Sequence, residues 1–382
     1  MKMLCRMLAT GVVAATLTGC GLWSKEAEIE PNELVSFEAE QQVEVLWSAS
    51  IGGGFGEKYH QFTPGIDGER IYATDSEGVV VALNRETGAV LWRVELETTL
   101  SGGVGAGYDR VVVAAESGQL IALDGNSGEE MWRAELGSEA VSVPQMNTEL
   151  VVAQLINGQL VAFNGFTGER KWTVDNQVPN LTLRGTSAPV VAADVTIAGM
   201  ANGNLVAVDN EQGTALWEKT VISPQGRSDL DRVIDIDGRP MIYENTLYVS
   251  SYQGRLVAVN PFNAQVLWGK KVSSYRSLAA GFGNIYVSEA DDAVQAFDIA
   301  SSASVWRQAE LANRSITSPA VVGTTVAVAD YEGYIHFMSQ IDGHFVARYA
   351  FGSGGVRGDM KVIDDTLYVL GNGGRLAALR LN

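Results

Sequence analysis

No cysteine lies beyond residue 20 of this 382-residue chain; the only two are Cys5 and Cys20. The folded body therefore has no disulfide, no thiolate nucleophile and no cysteine-based metal site. Histidine occurs three times, at His60, His336 and His344, and none sits in a serine–carboxylate phrase, so a hydrolytic triad fits poorly. Basic residues are outnumbered, 27 Lys and Arg against 45 Asp and Glu, for a formal charge of -18. A surface that negative repels phosphate backbones, so nucleic acid is excluded as a partner. Proline is sparse at 9, whereas glycine reaches 42, which implies many tight turns and argues against a mostly helical fold. What remains, 46% hydrophobic and 19% charged, is the composition of an ordinary globular protein.

The amino terminus reads as an address. Lys2 and Arg6 precede an apolar stretch, residues 7–17, that is too short to span a bilayer. It ends in Leu17-Thr18-Gly19-Cys20, which resembles the lipobox cut by the bacterial lipoprotein signal peptidase. The resemblance implies cleavage after Gly19 and acylation of Cys20, each buried methylene adding about 0.8 kcal/mol of membrane affinity. Gly21 stands where an inner-membrane retention signal has Asp, so the Gram-negative sorting rule implies lipid anchoring at the periplasmic face of the outer membrane. Residues 1–19 are thus expected as a signal peptide and 20–42 as a lipidated cysteine with an acidic tether. Six glutamates, one lysine and Pro31 between 21 and 42 predict a mostly disordered segment, with a short helix allowed over 33–42.

From residue 43 onward one phrase recurs. It runs Gly78-Val-Val-Val-Ala82-Leu-Asn84-Arg-Glu-Thr-Gly88-Ala-Val-Leu-Trp92 and restarts at Gly118, Gly158, Gly203, Gly254, Asp292, Gly333 and Gly374. The copy from Gly333 has Phe337 in the alanine slot and Ala347 in the tryptophan slot; the last is cut off at Asn382. A period near forty, with apolar runs such as Leu120-Ile-Ala-Leu123 and turn signals such as Asn157-Gly158, is the signature of a propeller of four-stranded antiparallel blades. The ends complement each other. Gly374 to Leu381 supplies part of a blade without its outer strand, and Gln42 to Trp47 is an outer strand without a blade. Pairing them predicts an all-β, eight-bladed ring over 43–382 with no open edge; a seven-bladed count would leave Val43 to Trp47 unpaired.

The phrase Ala-x-Asp/Asn-x-x-Thr-Gly-x-x-x-Trp resembles the tryptophan-docking repeat shared by quinoprotein dehydrogenases and the BamB family of outer-membrane assembly lipoproteins. Leu181-Thr-Leu-Arg184-Gly-Thr-Ser-Ala-Pro189 and Asp231-Arg-Val-Ile-Asp235-Ile-Asp237 resemble BamB as well. A quinone-dependent enzyme needs a carboxylate base and a calcium over its cofactor, and its alcohol-oxidising members often present a vicinal disulfide for which no cysteine remains here. The resemblance therefore implies a non-catalytic scaffold.

Three connections are enlarged. From the tryptophan slot to the next repeat start, the chain usually takes 24 to 27 residues, but takes 31 after Trp47 and Trp172 and 37 after Trp217. The last two fall on successive blades and predict a docking rim. Leu181 and Leu183 alternate with polar residues beside Arg184, an interface-like composition, and Asp235 and Asp237 project together from an extended segment. Resemblance to BamB implies that Leu181, Leu183, Arg184, Asp235 and Asp237 hold the periplasmic POTRA domains of BamA. It also makes other lipoproteins of that complex and unfolded outer-membrane chains candidate partners. Asp229-x-Asp231 and Asp235-x-Asp237-Gly238 fall short of a calcium loop, and the glycine-rich 52–58 run lacks the Gly-Lys-Ser/Thr of a phosphate cradle, so neither metal nor cofactor is expected.

Overall fold

The computed structural model describes residues 30–56, 60–183, 185–224, 227–228 and 232–382. The signal peptide, Cys20, Arg184, Asp229 and Asp231 lie outside the described residues. Thirty-two strands, β1 to β32 in chain order, form eight four-stranded antiparallel sheets. Blade 1 is β2 (Gly65–Asp67), β3 (Arg70–Thr74), β4 (Val79–Asn84) and β5 (Val90–Glu95), and six further blades repeat this order.

Blade 8 joins the two ends of the chain. Its inner strands are β30 (Lys361–Ile363), β31 (Thr366–Leu370) and β32 (Arg375–Leu381), and its outer strand is β1 (Val43–Ser50). Val43 pairs with Leu381 and Ser50 with Arg375. The closure restores the repeat itself. Ala82 faces Trp92, Ala122 faces Trp132 and Ala162 faces Trp172 across their blades, and Ala378 faces Trp47 in the same register. In blade 7 the pair is inverted, Phe337 facing Ala347. One large and one small side chain occupy the slot either way, so the packed volume is kept.

The phrase has a physical reading residue by residue. The Asn84 side chain accepts the N–H groups of Glu86 and Thr87, and Asp124 does the same for Asn126 and Ser127, which turns the chain into the outer strand. The tryptophan then reaches sideways. Its indole N–H donates to a backbone carbonyl of the next blade: Trp47 to Arg85 at 2.8 Å, Trp92 to Gly125, Trp132 to Gly165 and Trp172 to Asn210 at 2.9 Å, Trp306 to Gln340 at 3.0 Å. The glycine before the outer strand lies flat on the ring of the preceding blade; a Cβ on Gly168 would sit 2.8 Å from Trp132, and its φ is +70°. Gly168→Ala is therefore expected to cost about 2–4 kcal/mol, through left-handed strain plus overpacking, measurable as a lower denaturation midpoint.

The second half of the expected tether is ordered. Residues 31–42 contain no helix and lie extended along the outer strand of blade 7, β29 (Phe345–Ala350). Asn32 N–H donates to Ala312 O at 3.0 Å and Glu40 N–H to Val346 O at 2.9 Å, while Phe37 stacks on Phe345 at 5.5 Å. Two arginines hold the segment's carbonyls, Arg314 that of Asn32 and Arg348 that of Val35. Both belong to a buried network through Asp330 and His336, in which Arg348 donates to His336 Nδ1 and burial lowers the imidazole pKa. Acidic composition hid this docking, because the anchoring groups Leu34, Val35 and Phe37 are few and their partners lie about 300 residues away.

Candidate functional site

The two enlarged connections on successive blades run from β13 (Arg170–Val174) to β14 (Val190–Val191) and from β17 (Ala215–Thr220) to β18 (Met241–Tyr243). Both leave an outer strand and enter the inner strand of the next blade, so they emerge at the same end of the ring. Within the second, Ile234 and Ile236 turn inward, buried with Leu205, Ile222 and Leu247 between blades 4 and 5. Alternation along an extended segment then sends Asp235 and Asp237 the other way, towards the first connection.

Asp235 does not reach the surface; it is 1% exposed. Its Oδ2 accepts the Leu183 N–H at 2.7 Å, and its own carbonyl accepts the Tyr252 N–H at 3.0 Å. Beside it, Asp237 is half-buried with Oδ1 free of any hydrogen-bond partner, and Gly185 packs so closely that a Cβ there would lie 2.6 Å from that oxygen. Ser187 Oγ donates to Gly238 O at 3.1 Å, a third tie between the two connections. Leu181 crowns the arrangement, 46% exposed, with Leu183 half-buried behind it. A cleft of about 20 Å³, room for one water-sized group, is lined by Thr182, Gly185 and the two carboxylates.

Burial pushes the Asp235 carboxyl up to about 7 against the opposing Leu183 hydrogen bond. Asp237 is raised well above its ordinary value, by burial first and by the neighbouring Asp235 charge second. Such a pair accepts a cation readily, because an incoming guanidinium or ammonium repays the cost of ionising groups that water no longer solvates. The structure brings Leu181, Leu183, Asp235 and Asp237 together at this rim. Asp235 seats the leucine loop from behind rather than lying on the exposed surface of the rim. No sequence signal distinguishes a buried from an exposed aspartate in an extended run; the buried Ile234 and Ile236 beside it were the available hint. Among the described residues, no group of three or more His, Cys, Asp or Glu side chains is placed to hold a metal ion.

Fold and rim together define a closed propeller scaffold of tryptophan-docking blades with one built-up loop platform. A family model described as "Outer membrane protein assembly factor BamB" matches residues 76–308 and 293–381. The chain belongs to that family. It is 53% identical over 366 residues to the outer membrane protein assembly factor BamB of Pseudomonas aeruginosa, covering 96% of each chain, and 31% identical over 386 residues to that of Escherichia coli, covering 98% of each. Among solved structures, BamB from Moraxella catarrhalis superposes with a TM-score of 0.81 at 24% identity, over 89% of this chain and 100% of that one. The quinohemoprotein alcohol dehydrogenase of Comamonas testosteroni reaches 0.70 at 14% identity, over 88% of this chain and 76% of that one, a likeness of fold alone. The family is one of non-catalytic assembly factors acting at the outer membrane of Gram-negative bacteria, and the dehydrogenases are distant structural relatives.

Proposed function

We propose that this assembly factor is a lipid-anchored scaffold that docks on the periplasmic POTRA domains of BamA and helps present β-barrel proteins for insertion into the outer membrane. The observation that carries the reading is Leu181, an exposed apolar side chain on a loop that a buried carboxylate holds in place. Exposed Leu181 at the centre, half-buried Asp237 behind it and an arginine nearby along the sequence at position 184 give the composition of an interface of mixed apolar and charged character. Acylation of Cys20 ties the ring to the membrane that BamA occupies. Client chains pair with the outer strands of the blades by β-augmentation, β29 excepted because residues 31–42 already cover it.

The test is capture of this chain by the isolated periplasmic arm of BamA. Arg184→Glu is expected to weaken it by about 100-fold, the size of a central charged contact that is lost and reversed, while the ring stays folded by circular dichroism. Unchanged capture removes the site from consideration.

A further inference from the structure

In an up-and-down blade, the turn between strands one and two and the turn between strands three and four lie at the same end. Hydrogen bonds between them show it here: Arg85 N–H to Glu69 O at 2.8 Å, Gly125 N–H to Asp109 O at 2.7 Å and Asn210 N–H to Asp194 O at 3.0 Å. The long connections and the turns between strands two and three occupy the opposite end, where Tyr252 meets Asp235. The ring thus has two faces, and the rim with Leu181 belongs to one of them.

The other face is sharply one-sided in charge. Its first-to-second-strand turns carry seven exposed carboxylates and its third-to-fourth-strand turns five, twelve in all; the one arginine in those turns, Arg85, lies 3.9 Å from Asp364, Arg70 lies 3.7 Å from Asp109, and Arg380 lines the cleft beside Arg85 and Asp364. Apolar tips rise from the same turns. Phe262, Phe282, Ile341 and Phe166, at 83, 73, 68 and 62% exposure, are the four most exposed large apolar side chains among the described residues, and all four sit here. Two pairs follow one arrangement, with Phe262 of blade 5 standing apart from both. Tyr108 of blade 2 and Phe166 of blade 3 both pack on the Arg110 guanidinium, at 5.9 and 4.6 Å. Phe282 of blade 6 and Ile341 of blade 7 flank Gly281 and Gln340, which the Tyr286 hydroxyl joins. Each pair unites a first turn with the third-to-fourth-strand turn of the following blade.

Scattered apolar residues need no explanation, but the most exposed ones gathered on one face do. We propose that this face is a docking surface for a basic polypeptide segment bearing apolar or aromatic side chains. The carboxylates steer and hold the cations, and the paired tips supply the desolvated contact. Charge decides against the other occupants: an anionic membrane surface is repelled, and a second copy would oppose twelve carboxylates with twelve more.

The experiment uses the full chain with Cys20→Ala, so that no acyl group contributes, and labelled peptides of about twelve residues read by fluorescence anisotropy. An alternating Lys/Phe peptide is expected to bind, losing about tenfold in affinity between 0.05 and 0.5 M salt. Matched Glu/Phe and Lys/Ser peptides should bind about tenfold more weakly or worse. The double substitution Phe282→Ser with Ile341→Ser should weaken the Lys/Phe peptide about tenfold, whereas Leu181→Asp on the opposite face should leave it unchanged. Equal binding of the Glu/Phe peptide, or no effect of the double substitution, overturns the proposal. So does flotation on phosphatidylglycerol vesicles or dimerisation in solution that the double substitution abolishes.

Discussion

Trp47→Ala is expected to lower the unfolding free energy by about 3–5 kcal/mol, the range for removing a large buried aromatic side chain. Trp47 is 9% exposed, donates its indole N–H to Arg85 O, lies under Gly88 and packs in a core cluster with residues of blades 8, 1 and 2. Its position matters as much as its size. It sits on the one outer strand drawn from the far end of the chain, so it joins blade 8 to blade 1 after the ring has come full circle. Equilibrium denaturation in guanidinium checks the value. The same change at Leu91, half exposed on the outward side of the bulge beside Trp92, should stay within about 0.5 kcal/mol. A chain beginning after Ser50 leaves β32 with an unpaired edge, and concentration-dependent association is the expected outcome. A monomeric, fully cooperative truncated ring would show that closure is not what holds the blades together.

Asp235 carries the second large effect, and two substitutions separate its two contributions. Asp235→Ala removes the acceptor for the Leu183 N–H, so exchange of that amide with solvent should quicken about tenfold or more, whereas Asp235→Asn keeps an oxygen in place and should leave it nearly unchanged. Charge gives the other contribution. The folded carboxyl titrates near 7 and an unfolded one near 3.9, so the folded state holds the extra proton between these values. The stabilisation is complete below about pH 4, erodes as pH rises and is lost above 7. Relative to Asp235→Asn, which does not titrate, the wild-type chain should lose about 2–4 kcal/mol of stability between pH 4 and pH 8. A difference that stays flat with pH would mean that the carboxyl titrates at its ordinary value. A basic partner arriving at Asp237 favours its ionised form, so capture of the proposed partner should strengthen as pH rises.

The blade count was legible because each blade is written in a local code. An Asn or Asp accepts the N–H groups two and three residues on, a glycine takes a positive φ, and an alanine leaves room opposite the tryptophan; these demands fall within fifteen residues, and only the glycine's contact with the preceding blade's indole reaches further. Closure was legible too, since Gln42 to Trp47 and Gly374 to Leu381 sum to one unit. The rim was legible only in part. Length alone located it, and Leu181 is exposed as expected, yet the burial of Asp235 depends on Ile234 and Ile236 being drawn between blades 4 and 5.

By itself, then, the sequence determined the repeat, the antiparallel blade, the ring of eight and the place of the longest loops, all set by interactions between residues close along the chain or by a count of units. Tertiary structure alone decided that residues 31–42 lie against β29, that Asp235 supports the rim from within, and that the most exposed apolar tips share one acidic face. Those outcomes rest on which turns of adjacent blades meet, and side chains 40 to 300 residues apart learn their solvent exposure only once the ring has closed.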